Sequence, residues 1–138
     1  MVVQKTLSFR TRGRGTTEIT REVERVVSSS GIRSGTCHVF IQHTSASLIV
    51  SENADPSVRE DLEALIGRLA PDGDPGYRHD TEGPDDMAAH ARSVFTATSV
   101  TVPVGEGRLL LGTWQQVVLV DFDNRARDRE ITVTVVGE

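Results

Sequence analysis

The sequence has little cysteine and few aromatic residues. Its 138 residues include one cysteine, Cys37, and one tryptophan, and aromatic residues make up 4% of the chain. A single cysteine excludes an intrachain disulfide and a cysteine-rich zinc site. We therefore expect a protein of the reducing cytoplasm.

The sequence also lacks long apolar runs and clusters of basic residues. No stretch approaches the roughly 20 apolar residues of a membrane span, and the N-terminus lacks the pattern of a signal peptide. The net charge is −5, whereas nucleic-acid binding depends on clustered Lys and Arg. We expect neither a membrane nor a nucleic acid as partner. The length suits one domain over residues 1–138.

Three segments have the apolar spacing of amphipathic helices. The first starts near Glu18 and ends before Gly31, a residue suited to a helix C-terminus. The second starts at Asp55-Pro56, where Asp caps the helix and Pro takes its first position. The third covers residues 85–97. The second helix is predicted to carry one apolar stripe: Val58, Leu62, Leu65, Ile66 and Leu69.

Apolar runs, several of them alternating, predict the strands. In residues 36–43, alternation places Cys37 and His43 on one face and His38 on the other. The other predicted strands cover residues 2–9, 48–50, 99–104, 108–122 and 130–136. Because the last three runs are joined by short turns, we expect them to pair antiparallel. The order of elements indicates an α+β fold, and exposed strand edges in so small a chain favour self-association.

His43, Thr44 and Ser45 lie at the end of a predicted strand. An imidazole followed by two hydroxyls can bind a metal, act as an acid or base, or hold a phosphoryl group. The alternative is a hydrogen-bonded histidine beside a Ser/Thr turn. Asn53 lies in the polar bend before the second helix, where it either donates to a ligand or helps to cap the helix.

The segment between residues 71 and 84 has too few apolar residues for a helix or strand, and it carries Arg78, His79 and Asp80. Roughly fourteen residues without secondary structure are long for a compact domain, which favours a functional loop. Acidic residues before a helix also serve simply to complement its dipole. Asp80 either orients His79 or binds Mg²⁺ together with the neighbouring acids Glu82, Asp85 and Asp86.

His90 lies on the apolar side of the third predicted helix. A lone histidine there is more often a satisfied core residue than a ligand. Three histidines allow another interpretation. If His43, His79 and His90 meet in space, their imidazoles form an open site for a borderline metal such as Zn²⁺.

Trp114 interrupts an apolar run, within the segment Gly112-Thr-Trp-Gln115. A tryptophan between a glycine, a hydroxyl and an amide suits a rigid wall beside a polar pocket. An ordinary core position is the alternative.

Taken in order, these segments resemble the YjbQ-like family, whose members are described as secondary thiamine-phosphate synthases. The resemblance covers nearly the whole chain. It is carried by His43-Thr-Ser-Ala, Glu52-Asn-Ala-Asp-Pro56, Tyr77-Arg-His-Asp80, Glu82-Gly83, Ala89-His90, Ser99-Val-Thr-Val-Pro103 and residues 107–115.

The resemblance implies an α+β domain in which antiparallel sheets form a sandwich with flanking helices, assembled as a homotrimer. It also implies a pocket at a subunit boundary that gathers three histidines. The implied transferase activity joins hydroxymethylpyrimidine diphosphate to thiazole phosphate and releases diphosphate, with Mg²⁺ near the acidic loop. The implied catalytic residues are His43, His79, His90 and Asp80. The small phosphorylated substrates are expected to contact Thr44, Ser45, Asn53, Arg78, Gly83, Thr113, Trp114 and Gln115.

A different class of function remains open at this point. Three histidines without a clear nucleophile or base also suit a non-catalytic trimer that binds a metal, such as Zn²⁺, or a small anion.

Overall fold

The computed structural model describes residues 1–52 and 54–138. Within these ranges the chain forms eight strands and three helices. In chain order they are β1 (Val2–Arg10), β2 (Gly15–Glu18), α1 (Thr20–Ser30), β3 (Ser34–Ile41), β4 (Ala46–Glu52), α2 (Pro56–Leu69), α3 (Asp86–Phe95), β5 (Ser99–Gly105), β6 (Arg108–Leu109), β7 (Gln115–Asp121) and β8 (Asp128–Gly137).

The helices are bounded as their capping residues predict. Asp55 precedes α2 and accepts hydrogen bonds from the backbone N–H of Ser57, at 3.0 Å, and from its hydroxyl, at 2.7 Å. Gly31 ends α1 in the left-handed conformation, with φ of 77°. The apolar stripe predicted for α2 is only partly correct, because Leu65 and Leu69 are 45% and 59% exposed. Among the described residues, no helix is long and apolar enough to cross a membrane.

The strands form two antiparallel sheets, so the predicted α+β class is confirmed. One sheet has the order β1-β8-β3-β5-β6 and the other β2-β7-β4. The predicted antiparallel pairing among the last three apolar runs is confirmed where β5 pairs with β6, and it is wrong in two other respects. The run 108–122 breaks at the turn around Trp114, which sends β7 into the smaller sheet. β8 then pairs with β1 and β3, which come from the first third of the chain.

One apolar core is shared by the two sheets and α1. It includes Val39 and Ile131 from the five-stranded sheet, Leu48 and Leu119 from the three-stranded sheet, and Val23 from α1, all fully buried. The alternation predicted for β3 is confirmed, since its inward positions are buried and its outward positions are exposed. Burial of this apolar surface is what holds the two sheets together.

Both faces of β7 are buried. Val117 and Leu119 face the shared core. The opposite face is covered by α2 and α3, through a second apolar cluster that contains Val118, Val120, Phe122, Ala89 and Ile66. The smaller sheet therefore lies between the main core and two helices, which places the N-terminal end of α3 beside the residues that follow β3.

Cys37 faces the shared core and is fully buried. Burial, and to a smaller extent the charge of Glu24, raises the pKa of its thiol to about 11. The thiol is therefore protonated at neutral pH and is neither a nucleophile nor a metal ligand.

Candidate functional site

A buried ion pair joins the two sheets beside the candidate site. Arg129 of β8 and Asp121 of β7 are 2% and 1% exposed. Nε and Nη2 of Arg129 each donate to one carboxylate oxygen of Asp121, both at 2.8 Å. Nη2 also donates to the hydroxyl of Ser45 at 3.0 Å, and Thr11 donates to Asp121 at 2.7 Å. The pair is satisfied by hydrogen bonds and fixes the turn that follows His43.

His43 is held by donors on both sides of its ring. The backbone N–H of Glu130 donates to Nε2 at 2.8 Å, and Nη1 of Arg129 lies 3.2 Å from Nδ1. A neutral imidazole has one acceptor nitrogen and one N–H. We assign the acceptor to Nε2, because its contact with the backbone N–H of Glu130 is the shorter of the two. Burial, followed by the charge of Arg129, lowers the pKa of His43, and the ring is neutral at pH 7.

His90 lies on α3 and is oriented by the turn after β3. Its Nδ1 lies 3.0 Å from the backbone oxygen of Thr44. Because a carbonyl only accepts, Nδ1 carries the proton of that hydrogen bond. Nε2 is then the nitrogen that faces Asp86, at 3.1 Å from Oδ2.

Asp86, in the first turn of α3, connects His90 with His79. Nε2 of His79 lies 2.7 Å from the same oxygen of Asp86 and 3.0 Å from Glu82. The hydrogen bond to Asp86 raises the pKa of His79. Burial opposes the ionisation of Asp86, but the hydrogen bond from His79 and the charges of the nearby imidazoles hold its pKa below the usual range.

His79, Asp86 and His90 are the group within the described ranges whose ligand atoms converge. One such atom from each residue lies within 4.8 Å of the other two. His43 is outside this group, since both of its nitrogens face protein donors. The structure therefore brings together two of the three predicted histidines, with a carboxylate in place of the third.

A polar cavity of about 610 Å³ lies beside this group. Its lining consists of Arg10, residues 42–45, Glu82, Asp86, His90, Asp123 and residues 126–129. Four carboxylates line it, from Glu82, Asp86, Asp123 and Asp128, against three guanidinium groups, from Arg10, Arg127 and Arg129. Each of these arginines is paired with an aspartate. The cavity thus has no excess of positive charge.

The remaining predicted loop residues lie away from this cavity. Arg78 and Asp80 are exposed, and Asp80 lines a smaller depression with His79 and Gly83. Gly83 has φ of 105°, a conformation that favours glycine and lets the chain turn between Glu82 and α3. Asn53 lies outside the described residues.

The four acids considered for Mg²⁺ do not form one site. Asp85 accepts a hydrogen bond from the backbone N–H of Asn124 at 3.2 Å, whereas Asp86 and Glu82 contact His79. Asp80 belongs to the separate depression. Mg²⁺ binding by this loop stays a prediction.

Thr113, Trp114 and Gln115 do not reach the histidine cavity within one chain. Trp114 is 63% exposed and, with Thr113, lines a depression that also includes Ala54 and Gln116. Gln115 accepts a hydrogen bond from the backbone N–H of Gly112 at 2.8 Å, which closes the turn before β7. Their predicted contact with a ligand at the histidines therefore requires a second subunit.

Sequence comparison relates the chain to a described family. The sequence model of the family described as "UPF0047 protein YjbQ-like" matches residues 5–138. UPF0047 protein sll1880 of Synechocystis sp. is 47% identical over 98% of this chain and 92% of its own length. UPF0047 protein YjbQ of Escherichia coli O157:H7 is 40% identical over the full length of both chains.

Solved structures show the same fold. The conserved hypothetical protein TT1486 of Thermus thermophilus has a TM-score of 0.85 and 38% identity, covering 96% of this chain and 99% of its own. A YbjQ-like protein of unknown function from Sulfolobus solfataricus has a TM-score of 0.87 and 28% identity, covering both chains fully.

These relatives overturn the thiamine-phosphate synthase prediction. They are described as UPF0047 proteins or as a protein of unknown function, and none of these descriptions names a transferase or thiamine phosphate. The family was recognised correctly from its segments, but the activity attached to it was wrong.

The buried pair predicts a large difference between two aspartate substitutions. Asp121→Ala leaves the guanidinium of Arg129 buried without its carboxylate, which we expect to lower the free energy of unfolding by about 3–5 kcal/mol. Asp128→Ala removes a pair with Arg10 in which both side chains are more than half exposed, at a cost below about 1 kcal/mol. Urea unfolding of both variants measures the difference, and equal losses would contradict the role of the pair.

Proposed function

This chain belongs to the YjbQ-like UPF0047 family, and we propose that it binds a divalent metal ion through His79, Asp86 and His90. The metal then holds a small phosphorylated molecule in the adjacent polar cavity, and the reaction class that we propose is hydrolysis of its phosphate ester. One observation carries the proposal: ligand atoms of two histidines and one carboxylate converge within 4.8 Å at the rim of that cavity.

The orientation of His90 supports a role as metal ligand. Histidine ligands usually donate their second N–H to a carbonyl or carboxylate, which fixes the tautomer and the ring. His90 makes this bond to the backbone oxygen of Thr44, at 3.0 Å. Its Nε2 faces Oδ2 of Asp86 at 3.1 Å, so a cation that takes the place of the proton between the two atoms would be bound by both.

The spacing of the ligand atoms also suits a small metal ion. Ligands of a tetrahedral Zn²⁺ with bonds of 2.0–2.1 Å lie about 3.3 Å apart. Oδ2 of Asp86 lies 2.7 Å from His79 and 3.1 Å from His90, so a small outward movement of the side chains accommodates Zn²⁺ or a similar divalent ion. His79 is in an exposed loop, which allows that movement.

The charges of the cavity support binding of the metal before the phosphate. Four carboxylates outnumber three arginines that are already paired, so a phosphate alone would meet net negative charge. A bound divalent cation reverses this balance. The phosphoryl oxygens are then within reach of the lining residues Thr44 and Ser45, which offer hydroxyl groups.

Three protein ligands leave open positions, as catalytic zinc sites do. A divalent cation there would supply a water with a lowered pKa at neutral pH. Glu82 lines the cavity and lies 3.0 Å from His79, close enough to accept a proton from such a water. In the proposed hydrolysis, water attacks phosphorus, the bond between phosphorus and the ester oxygen breaks, and the alcohol and inorganic phosphate leave.

The metal site is tested by zinc titration of protein purified without a histidine tag. We expect one Zn²⁺ per chain, and His79→Ala or His90→Ala should weaken binding more than about tenfold. Because protons compete with the metal for His79, whose pKa is raised by Asp86, affinity should fall as the pH drops through that raised value.

The matched control for zinc binding is His38→Ala. His38 is an exposed histidine on β3, stacked on Phe40 and outside the converging group. Equal loss of zinc in the His38, His79 and His90 variants, or none in any of them, would contradict the site.

Phosphate binding and hydrolysis are tested separately. Inorganic phosphate should bind the zinc-loaded protein and not the metal-free protein. The loaded protein should hydrolyse p-nitrophenyl phosphate, and Glu82→Gln should slow that reaction about 100-fold or more while zinc binding is retained. Phosphate binding without metal would overturn the order of binding. Zinc binding without turnover would overturn hydrolysis and leave the metal site intact.

We also propose that the chain assembles as a homotrimer. Large apolar side chains are exposed outside the core: Val94 by 82%, Phe95 by 64%, Leu110 by 58% and Trp114 by 63%. Apolar surface of this kind is covered in many oligomers. A neighbouring subunit is also what would bring Trp114 towards a histidine cavity.

Sedimentation equilibrium tests the trimer directly, and we expect a mass of about three chains. Since Trp114 is the chain's one tryptophan, its fluorescence should shift to the red when the protein is diluted and dissociates. Trp114→Ser should weaken assembly, whereas Phe40→Ser, at another exposed aromatic residue, should not. A monomeric wild-type protein would refute the proposal.

A further inference from the structure

A second cavity lies on the other side of the smaller sheet from the main core. It has a volume of about 310 Å³ and is lined by α2, α3 and the outer face of β4 and β7. None of its lining residues belongs to the polar cavity beside His90. Its walls are mostly apolar and include Ile49, Leu62, Ile66, Val120 and Phe122. The helix α2, which covers this cavity, has no buried residue.

Arg59, one turn before Leu62 on α2, lines this cavity. Its Nε and Nη2 are shielded from solvent, and neither has a hydrogen-bond acceptor in residues 1–52 and 54–138. Shielding two N–H groups of a guanidinium from water without an acceptor is costly, because their desolvation is not repaid. The atoms are therefore placed for a partner that is not part of the described chain.

The other two arginines of the cavity are already occupied. Both Nη atoms of Arg14 donate to Asp72 at 3.0 Å. Arg92 donates twice to the backbone oxygen of Ala70, at 3.0 and 2.9 Å. Arg59 is thus the guanidinium of this cavity for which the described residues supply no partner.

The two unpartnered atoms of Arg59 identify the partner's chemistry. Nε and Nη2 form the edge of a guanidinium whose parallel N–H groups match the two oxygens of a carboxylate. Arg129 uses this same pair of atoms to hold Asp121, at 2.8 Å each. A ligand carboxylate bound to Nε and Nη2 of Arg59 would make the same two hydrogen bonds that Asp121 makes with Arg129.

We propose that this cavity binds an organic molecule with one carboxylate and an apolar body. The carboxylate pairs with Nε and Nη2 of Arg59, and the apolar part lies between α2 and the sheet, against residues such as Ile66 and Phe122. The volume is about ten times the ~30 Å³ share of one water molecule, which suits a medium-chain fatty acid or an aromatic acid. This site is independent of the metal site.

Octanoate is the probe, with octan-1-ol and acetate as partial ligands. Calorimetry should show octanoate binding at about 1 mM or below, with octan-1-ol and acetate at least about tenfold weaker, since each lacks one half of the interaction. Arg59→Leu should weaken octanoate binding by at least about tenfold and leave octan-1-ol binding unchanged. Without ligand, Arg59→Leu should melt no lower than the wild type, because it removes two shielded N–H groups that have no acceptor among the described residues.

Arg68→Leu is the matched control, because Arg68 lies on the same helix and is exposed. It should bind octanoate as the wild type does. A second variant, Ile66→Phe, fills the cavity and keeps Arg59. It should lose octanoate binding and keep zinc binding. This variant tests the proposal even if Arg59→Leu fails to fold. Wild-type affinity for octanoate in Arg59→Leu or Ile66→Phe, or equal affinity for octan-1-ol, would overturn the proposal.

Discussion

The buried pair between Arg129 and Asp121 is the constraint on which the site depends. Apolar burial holds the two sheets together but is not directional, whereas the paired hydrogen bonds between guanidinium and carboxylate fix the position of β8 against β7. The remaining donors of Arg129 reach Ser45 and His43, so the turn after β3 is held in the same network. The pair therefore links the contact between the two sheets to Ser45 and His43, which line the polar cavity.

The proposed metal ligands His79, Asp86 and His90 are positioned by that fixed turn. The backbone oxygen of Thr44, next to Ser45, orients His90, and α3 carries Asp86 one turn before it. His79 comes from an exposed loop and completes the group only through Asp86 and Glu82. A rigid part thus supplies His90 and its orientation, and an exposed loop supplies the proposed ligand His79, whose side chain could adjust to an ion.

Local sequence patterns predicted the features that depend on neighbouring residues, such as helix starts and strand faces. They missed the contacts between residues that are far apart in the sequence. The Asp55-Pro56 start of α2 and the alternation in β3 are local and were correct. The pairing of β8 with β1 joins the two ends of the chain, and no local pattern reports it. Arg129 was also missed, although a signal was present: it stands in phase with the buried Ile131, Val133 and Val135, as Asp121 does with Val117 and Leu119. Opposite charges at inward positions of two strands indicate a buried pair.

Two arginines with opposite surroundings distinguish the two cavities. Arg129 has its carboxylate within the chain, so the cavity beside it gains no attraction for anions from this residue. In our proposal, anion binding there depends on a cation at His79, Asp86 and His90. Arg59 presents the same two atoms, Nε and Nη2, without an acceptor among the described residues. Shielded N–H groups of a guanidinium need an acceptor, and apolar walls favour a ligand whose apolar body displaces water from them. A carboxylate with an apolar body meets both requirements, whereas phosphate meets only the first, so the two proposed sites would select different ligands.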